Sequence, residues 1–393
     1  MNLNEIIRLR NRGEEMHCDI VRWRRALHSI PELRMETPKT ETLIIDFLRE
    51  IGVTDIRSHV GGHGVCAVIK GELPGKCLAI RADCDGLPIK EETGLPFAST
   101  NGNMHACGHD GHAASGLGVA AVLMQIKEHL RGTIKLIFQP AEEGVRGAKS
   151  IVENGHLDGV DFCIGSHVSD LRKDDADVAV SPGSHGSLAT TKYDVYFHGV
   201  SAHAGGSPEK GKNVMLAVAT AIMNLYAIPR HSGGMTRINV GTVNAGSGRN
   251  VIADVAKMEI ELRGETTEIN DYVVAYATNV IEAAAKMHGC TYEMKVMGGA
   301  QSMTSDKAMI DRIRAAAEAV GLKVSKDDSN RSGGSEDFSY MMTRVQEQGG
   351  IATFMRVHSK QSAPGHNRRF DIDEVAITNA VKTFCATVYD IVK

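Results

Sequence analysis

Within the nine-residue stretch Met104-His-Ala-Cys-Gly-His-Asp-Gly-His112, a thiol, three imidazoles and a carboxylate are separated only by small residues. That mixture of donors reads as a metal site. Cys107 and His109 stand two apart, so in extended backbone they project to one face, and Gly108 between them lets the loop bend around an ion. The simpler alternative is a solvated polar loop, because the paired Cys-x-x-Cys spacing of a structural zinc knuckle is missing. Residues elsewhere in the chain decide between them.

Glu142 and Glu143 follow Pro140 at the end of an apolar run, where two adjacent carboxylates can take different roles, one bound to metal and the other free to accept a proton. His167, in Ile164-Gly-Ser-His167, and His366, in Ala363-Pro-Gly-His-Asn367, are further candidate ligands. If Cys107, His109, Glu143 and His167 converge, the set suits zinc, nickel, cobalt or manganese far better than magnesium or calcium. A Glu-Glu pair is usually only a solvated surface, and most single histidines in a chain carrying 17 of them are not ligands. The placement of these residues after strand-like segments is what favours the functional reading.

Those segments alternate with helical patterns. Apolar spacing over residues about 14 to 50 predicts two helices broken at Ser29-Ile-Pro31. Short strands are expected at Val65 to Ile69, Cys77 to Arg81, Ile134 to Phe138 and Asp161 to Ile164, with a helix from Ala113 to Leu130. Such alternation predicts an α/β fold with a mostly parallel sheet, whose functional crevice lies beyond the carboxyl ends of its strands.

From about residue 188 the order becomes βαββαβ: strands near Tyr193 to His198, Arg237 to Val243, Ala256 to Arg263 and Tyr292 to Val296, and helices from Val214 to Ala227 and Asn270 to Met287. This is the order of a ferredoxin-like α+β unit. The α/β pattern then resumes with helices from about Lys307 to Val320 and from about Glu374, a loop at Ser332 to Asp337, and a strand near Ala352 to Val357. The expectation is a discontinuous domain of residues 1–187 and 304–393, with residues 188–303 inserted. In the insertion, Gly199-Val-Ser-Ala-His-Ala-Gly-Gly206 sets His203 in a small-residue loop, where a donor could steady a developing oxyanion. Asn250 and Arg263 are candidate anchors for a substrate carboxylate.

At 393 residues the chain suits two domains, and its net charge of −4 with no Lys/Arg run argues against a nucleic-acid partner. The N-terminal residues lack the uninterrupted apolar stretch of a signal peptide, and no apolar run is expected to span a bilayer, so the predicted location is cytoplasmic, away from membranes. Eight cysteines are scattered singly and most are expected to be reduced, with Cys77, Cys163 and Cys385 in the core. Two competing readings remain: a thiol hydrolase with Cys107 as nucleophile and His109 as base, and a non-catalytic subunit of a larger assembly.

The ordered motifs His28-Ser-Ile-Pro-Glu32, Arg81-Ala-Asp-Cys-Asp-Gly-Leu-Pro88, His105 to His112, Gln139-Pro-Ala-Glu-Glu-Gly144 and Gly334-Ser-Glu-Asp-Phe338 resemble the M20 family of metal-dependent amidohydrolases and exopeptidases. Within it they are similar to the branch of hippurate and auxin-conjugate hydrolases, and Ala202-His-Ala-Gly and Asn244 to Val251 look most like its aminobenzoyl-glutamate subgroup. The resemblance implies a phosphorylase/hydrolase-like catalytic domain and a dimerisation role for the insertion. It implies two divalent ions per protomer, manganese or zinc with nickel or cobalt as alternatives, held by Cys107, His109, Glu143, His167 and His366. Glu142 would be the general base, and His203 would reach the site of a partner protomer. Asp83 stands where the wider family has a ligand, and Asp85 would orient a neighbouring histidine. The implied reaction is hydrolysis of N-acyl or N-aroyl amino acids by a homodimer, possibly joined by a related second type of chain; hippurate or general N-acyl-amino-acid deacylation is the alternative.

Overall fold

The protein is described by a computed structural model over residues 3–327 and 334–393. The chain divides into two compact units: one runs to His185 and resumes at Met303, and the other spans Gly186–Ser302 together with a short stretch ending at Glu336. Part of the loop expected at Ser332 to Asp337, residues 332 and 333, lies outside the described residues.

In the first unit seven strands form one sheet, in the spatial order Asp55–Arg57, Val65–Lys70, Arg131–Gln139, Leu73–Asp83, Phe162–Asp170, Ile351–Ser359, Val180–Ser181. The four strands from Arg131–Gln139 to Ile351–Ser359 are mutually parallel, but the flanking pairs are antiparallel. The sheet is therefore mixed, not mostly parallel. The cause is local: only Gly71 and Glu72 separate Val65–Lys70 from Leu73–Asp83, and so short a link reverses the chain where a parallel crossover needs a dozen residues or more.

Helix His109–Met124 is the centre of this unit. Almost all its residues are buried, and it packs between the sheet and the helices His17–His28 and Val375–Val392. Small residues make that possible: a Cβ at Gly118 would lie 2.6 Å from Val381 Cγ2 and 3.0 Å from Ile20 Cγ1. The helix begins four residues earlier than the apolar pattern suggested, because Gly108 adopts φ +90° and caps it, which draws His109 into the first turn. The two helices expected over residues about 14 to 50 are His17–His28 and Pro38–Ile51, and a further helix, Leu3–Glu15, precedes them. Val375–Val392 is long and apolar enough by composition to cross a membrane, contrary to the sequence reading, and most of it is buried inside this unit.

The second unit orders its strands Thr291–Ala300, Ala189–His198, Val255–Gly264, Thr236–Ala245, all antiparallel. Helices Val214–Tyr226 and Thr267–Met287 pack on that sheet and share its core through Val195, Val218, Met258 and Ile281. Asn213 and Thr266 start the two helices by accepting backbone N–H bonds, as N-cap residues do.

Candidate metal centre

The candidate ligands of the first unit arrive from separate elements. Cys107 and His109 flank the turn at Gly108, where a Cβ would lie 2.5 Å from Val168 Cγ1, so the loop can approach the Phe162–Asp170 strand only with glycine there. His167 lies within that strand, which runs well past the expected end at Ile164. Glu142 and Glu143 follow Arg131–Gln139 through Ala141, itself at φ +59°. His366, at φ +65°, is tied back by its N–H donating to the carbonyl of Ala106 at 2.7 Å.

These residues meet. Cys107 Sγ is 3.3 Å from His167 Nε2, His109 Nε2 is 3.9 Å from Glu142 Oε2, and His366 Nε2 is 3.5 Å from Glu143 Oε2. Donor atoms of Cys107, His109 and His167 lie within 4.8 Å of one another, and so do those of Cys107, Glu143 and His366. Cys107 is common to both triads. Two buried atoms in the cluster, His109 Nε2 and Glu143 Oε1, have no hydrogen-bond partner. An orphaned buried polar atom costs about 1–3 kcal/mol, and a cation between them removes that cost. Sulfur, imidazole and carboxylate donors of this kind fit two divalent metal ions of the borderline class.

Burial and neighbouring charges shift the proton affinities of these donors. Burial pushes the Cys107 thiol up to about 12, so without a cation it stays protonated at neutral pH, unlike a nucleophilic cysteine. Burial, then the neighbouring His112, holds His167 well below the usual histidine range and leaves it the neutral imidazole a metal requires. Burial opposes charge on His109, but Asp83, Cys107 and Asp85 together outweigh it and raise the imidazole well above its ordinary value. Burial also raises Glu143, against the pull of His109.

Asp85 organises the centre. Its two carboxylate oxygens accept the amides of Glu142 at 3.0 Å and Glu143 at 3.2 Å, while its main-chain carbonyl lies 3.0 Å from His109 Nδ1. One residue thus sets both carboxylates and turns His109 Nε2 inward.

Several supporting residues escaped the sequence reading. His112 accepts the N–H of Val168 at Nε2 and therefore carries its proton on Nδ1, which it donates to Asp83 at 2.5 Å. Both nitrogens are occupied, so His112 positions Asp83 and the strand. Its spacing of three from His109, one helical turn, was the available signal. Arg81 joins the strand ends: it donates to Asp83 at 2.6 Å, Gln139 at 2.8 Å and Asp337 at 3.1 Å. Asp337 also accepts Gln139 Nε2 and the amide of Ala148. Burial opposes the Asp83 charge, but Arg81, His109 and His112 together hold that carboxyl well below its usual range.

In the second unit, His203 Nδ1 accepts the amides of Gly205 at 3.1 Å and Gly206 at 2.9 Å. The ring proton is therefore on Nε2, ready to be donated. Asn250 is close by, its carbonyl accepting the N–H of Ala204 at 3.0 Å. Arg263 is not: it pairs with Glu261 at 3.0 Å near the far end of the Val255–Gly264 strand. The eight residue steps from Val255 to Arg263 span about 26 Å of strand. Within one copy of this unit, Asn250 and Arg263 do not converge on one carboxylate.

Comparison with known proteins gives concordant results. Residues 79–390 match the model for peptidase family M20/M25/M40. The chain is 43% identical to indole-3-acetyl-aspartic acid hydrolase of Enterobacter agglomerans, over 90% of this chain and 84% of that protein. It is 41% identical to one of the subunits of p-aminobenzoyl-glutamate hydrolase of Escherichia coli strain K12, over 83% and 76%. Among solved structures, aminobenzoyl-glutamate utilization protein from Klebsiella pneumoniae superposes with a TM-score of 0.80 at 32% identity, covering 99% of this chain and 98% of that one. The YXEP protein of Bacillus subtilis, a dinuclear metal-binding M20 peptidase, gives a TM-score of 0.73 at 29% identity, over 96% and 99%.

Proposed function

From the premise that the chain belongs to peptidase family M20/M25/M40, we propose that its first unit hydrolyses N-acyl amino acids at the Cys107 cluster, with aminobenzoyl-glutamate or a close relative as substrate. The protein is an amidohydrolase that acts on the amide bond of N-acyl amino acids, releasing a carboxylic acid and a free amino acid. The observation that carries the site assignment is the pair of donor triads sharing Cys107, with Glu142 beside them.

Cys107, His109, Glu143, His167 and His366 would hold two divalent ions, manganese or zinc. Bound there, the ions supply Lewis acidity that polarises the amide carbonyl and acidifies water. Glu142 accepts the proton that water loses as its oxygen attacks the carbonyl carbon, then delivers it to the amide nitrogen as the C–N bond breaks. Asp85 keeps Glu142 and Glu143 in register through their amides. His203, whose Nδ1 accepts two amides and leaves the proton on Nε2, would reach the site of a partner protomer and donate to the oxyanion there.

We assign the catalytic domain to residues 1–187 and 304–393 and the dimerisation domain to 188–303. Support for a homodimer comes from the second unit itself: Met215, Leu216 and Met223 are exposed on Val214–Tyr226, and Thr236–Ala245 is an edge strand with Val243 exposed. Two copies would also relieve the separation of Asn250 from Arg263, each copy contributing one of them to a given substrate. A cytoplasmic location accords with a small-molecule hydrolase of this kind.

The test is glutamate release from aminobenzoyl-glutamate by the purified chain, after chelation and again after adding manganese or zinc, alongside Glu142→Gln. Activity is expected to fall on chelation and return with metal, while Glu142→Gln keeps its metal content and loses turnover. Near-normal activity in that variant removes Glu142 from the mechanism.

A further inference from the structure

A second cluster of metal-type donors lies in the first unit and shares no residue with the Cys107 cluster. Glu41, buried on helix Pro38–Ile51, faces a tight loop that carries His59 and His63. We propose that Glu41, His59 and His63 form a separate site for a transition-metal dication of the zinc, copper or nickel class.

The carboxylate is already fixed between the two histidines. Glu41 Oε1 accepts the His59 backbone N–H at 2.6 Å, and Oε2 lies 2.8 Å from His63 Nδ1. His59 Nδ1 is 3.4 Å from Glu41 Oε1, and the two imidazole rings stand edge to face with centroids 5.1 Å apart. One donor atom from each of the three residues lies within 4.8 Å of the others. In a tetrahedral zinc site, metal–ligand bonds of about 2.0–2.2 Å put neighbouring donors roughly 3.4 Å apart. Glu41 Oε1 stands at that distance from His59 Nδ1 now. The other oxygen, Oε2, is closer to His63 Nδ1 because a proton lies between them, and a dication replacing that proton would lengthen the contact as the carboxylate turns to the ion.

His59 adopts φ +56°, a left-handed conformation uncommon for a residue with a side chain, and its ring is 69% exposed, free to turn toward the ion. On the other side of the His63 ring, Glu36 Oε2 lies 3.6 Å from Nε2. It can take the Nε2 proton while Nδ1 binds metal, the carboxylate–histidine–metal relay by which ligands are oriented. Two imidazoles and one carboxylate select borderline metals over calcium or magnesium, and the exposed side of the cluster leaves room for water as a fourth ligand. The loop also packs toward the catalytic segment. A Cβ on Gly64 would lie 2.8 Å from Pro140 Cδ, and one on Gly61 would lie 3.0 Å from the Gly147 carbonyl. An ion held by His59 and His63 would therefore stiffen the support of the turn that carries Glu142 and Glu143.

The experiment is equilibrium dialysis of the full chain against micromolar free zinc, with bound metal counted per chain in wild type, His59→Asn and His63→Gln. Asparagine tolerates the left-handed conformation at 59, and retained amide hydrolysis shows that each variant is folded. Wild type is expected to hold one zinc more than either variant. Because the result is a difference between proteins with the same Cys107 cluster, it stands whether or not that cluster fills as proposed. Equal zinc in wild type and in either folded variant overturns the proposal. If both variants are inactive, copper(II) bound to the full chain decides: an electron paramagnetic resonance signal split by two nitrogens, persisting when His109, His167 and His366 are together replaced by Gln, supports the site, and its absence overturns it.

Discussion

Asp85→Asn is the sharpest probe of how the centre is held, because it changes one oxygen to nitrogen without changing volume. The native carboxylate accepts two amides, from Glu142 at 3.0 Å and Glu143 at 3.2 Å. Asparagine has one acceptor oxygen, so one of these bonds is lost and an NH2 group faces an N–H. A hydrogen bond to a charged group contributes about 1.5–3 kcal/mol, and the orphaned amide adds a penalty of similar size that relaxation of the turn partly relieves. A net loss of about 2–3 kcal/mol is expected, felt as displacement of Glu142 and Glu143 from their positions. Expressed wholly in the transition state, that is roughly a 30- to 150-fold fall in kcat/KM. The assay is kcat/KM for hydrolysis of an N-acyl amino acid, with metal content measured on the same samples to separate misplaced carboxylates from lost metal. Activity within twofold of wild type at equal metal content would defeat this account, for it would mean that the two amides do not depend on Asp85.

Three other predictions test the surroundings. Gly108→Ala must tolerate φ +90° and a Cβ 2.5 Å from Val168, so a stability loss of roughly 2–4 kcal/mol is expected in urea unfolding; an unchanged midpoint would contradict the close approach. His28 is buried, which opposes its charge, yet Asp110 at 2.7 Å and Glu91 at 3.1 Å raise it from 6.5 to about 9. Its folded value lies above the unfolded one, so its stabilisation, about 3 kcal/mol for a shift of this size, is fully present below pH 6.5 and lost as pH rises through 9. Wild type should therefore lose more stability than His28→Gln between pH 6 and 9.5, and parallel curves would count against it. Cys107, held at about 12, should resist iodoacetamide in the metal-free protein at pH 7.5 while exposed Cys18 reacts; preferential labelling of Cys107 would revive the thiol-nucleophile reading.

The features legible in the chain were those written at short range. The two-residue spacing of Cys107 and His109, the Glu142–Glu143 pair after an apolar strand, and the βαββαβ order of the second unit all follow from backbone periodicity, which is read without knowing what packs against what. Even so, short-range rules misplaced boundaries. The start of the central helix turned on the left-handed Gly108, and the length of the Phe162–Asp170 strand turned on its pairing with Ile351–Ser359.

Contacts that bridge long stretches of chain were set by packing. Cys107 touches His167 across 60 positions, and Arg81 reaches Asp337 across 256. No local pattern announces such pairs, since they exist because buried charges must find partners wherever packing brings them. The same holds for His112, whose role as a support for Asp83 shows only once both of its nitrogens are seen to be occupied. It holds again for Asn250 and Arg263, of which one lies beside Ala204 before the Val255–Gly264 strand and the other near the end of that strand. The order of residues establishes which chemical groups the protein owns and which of them are neighbours along the backbone. Folding selects which groups lose water together, and in that desolvated cluster imidazole, thiol and carboxylate take on their altered proton affinities.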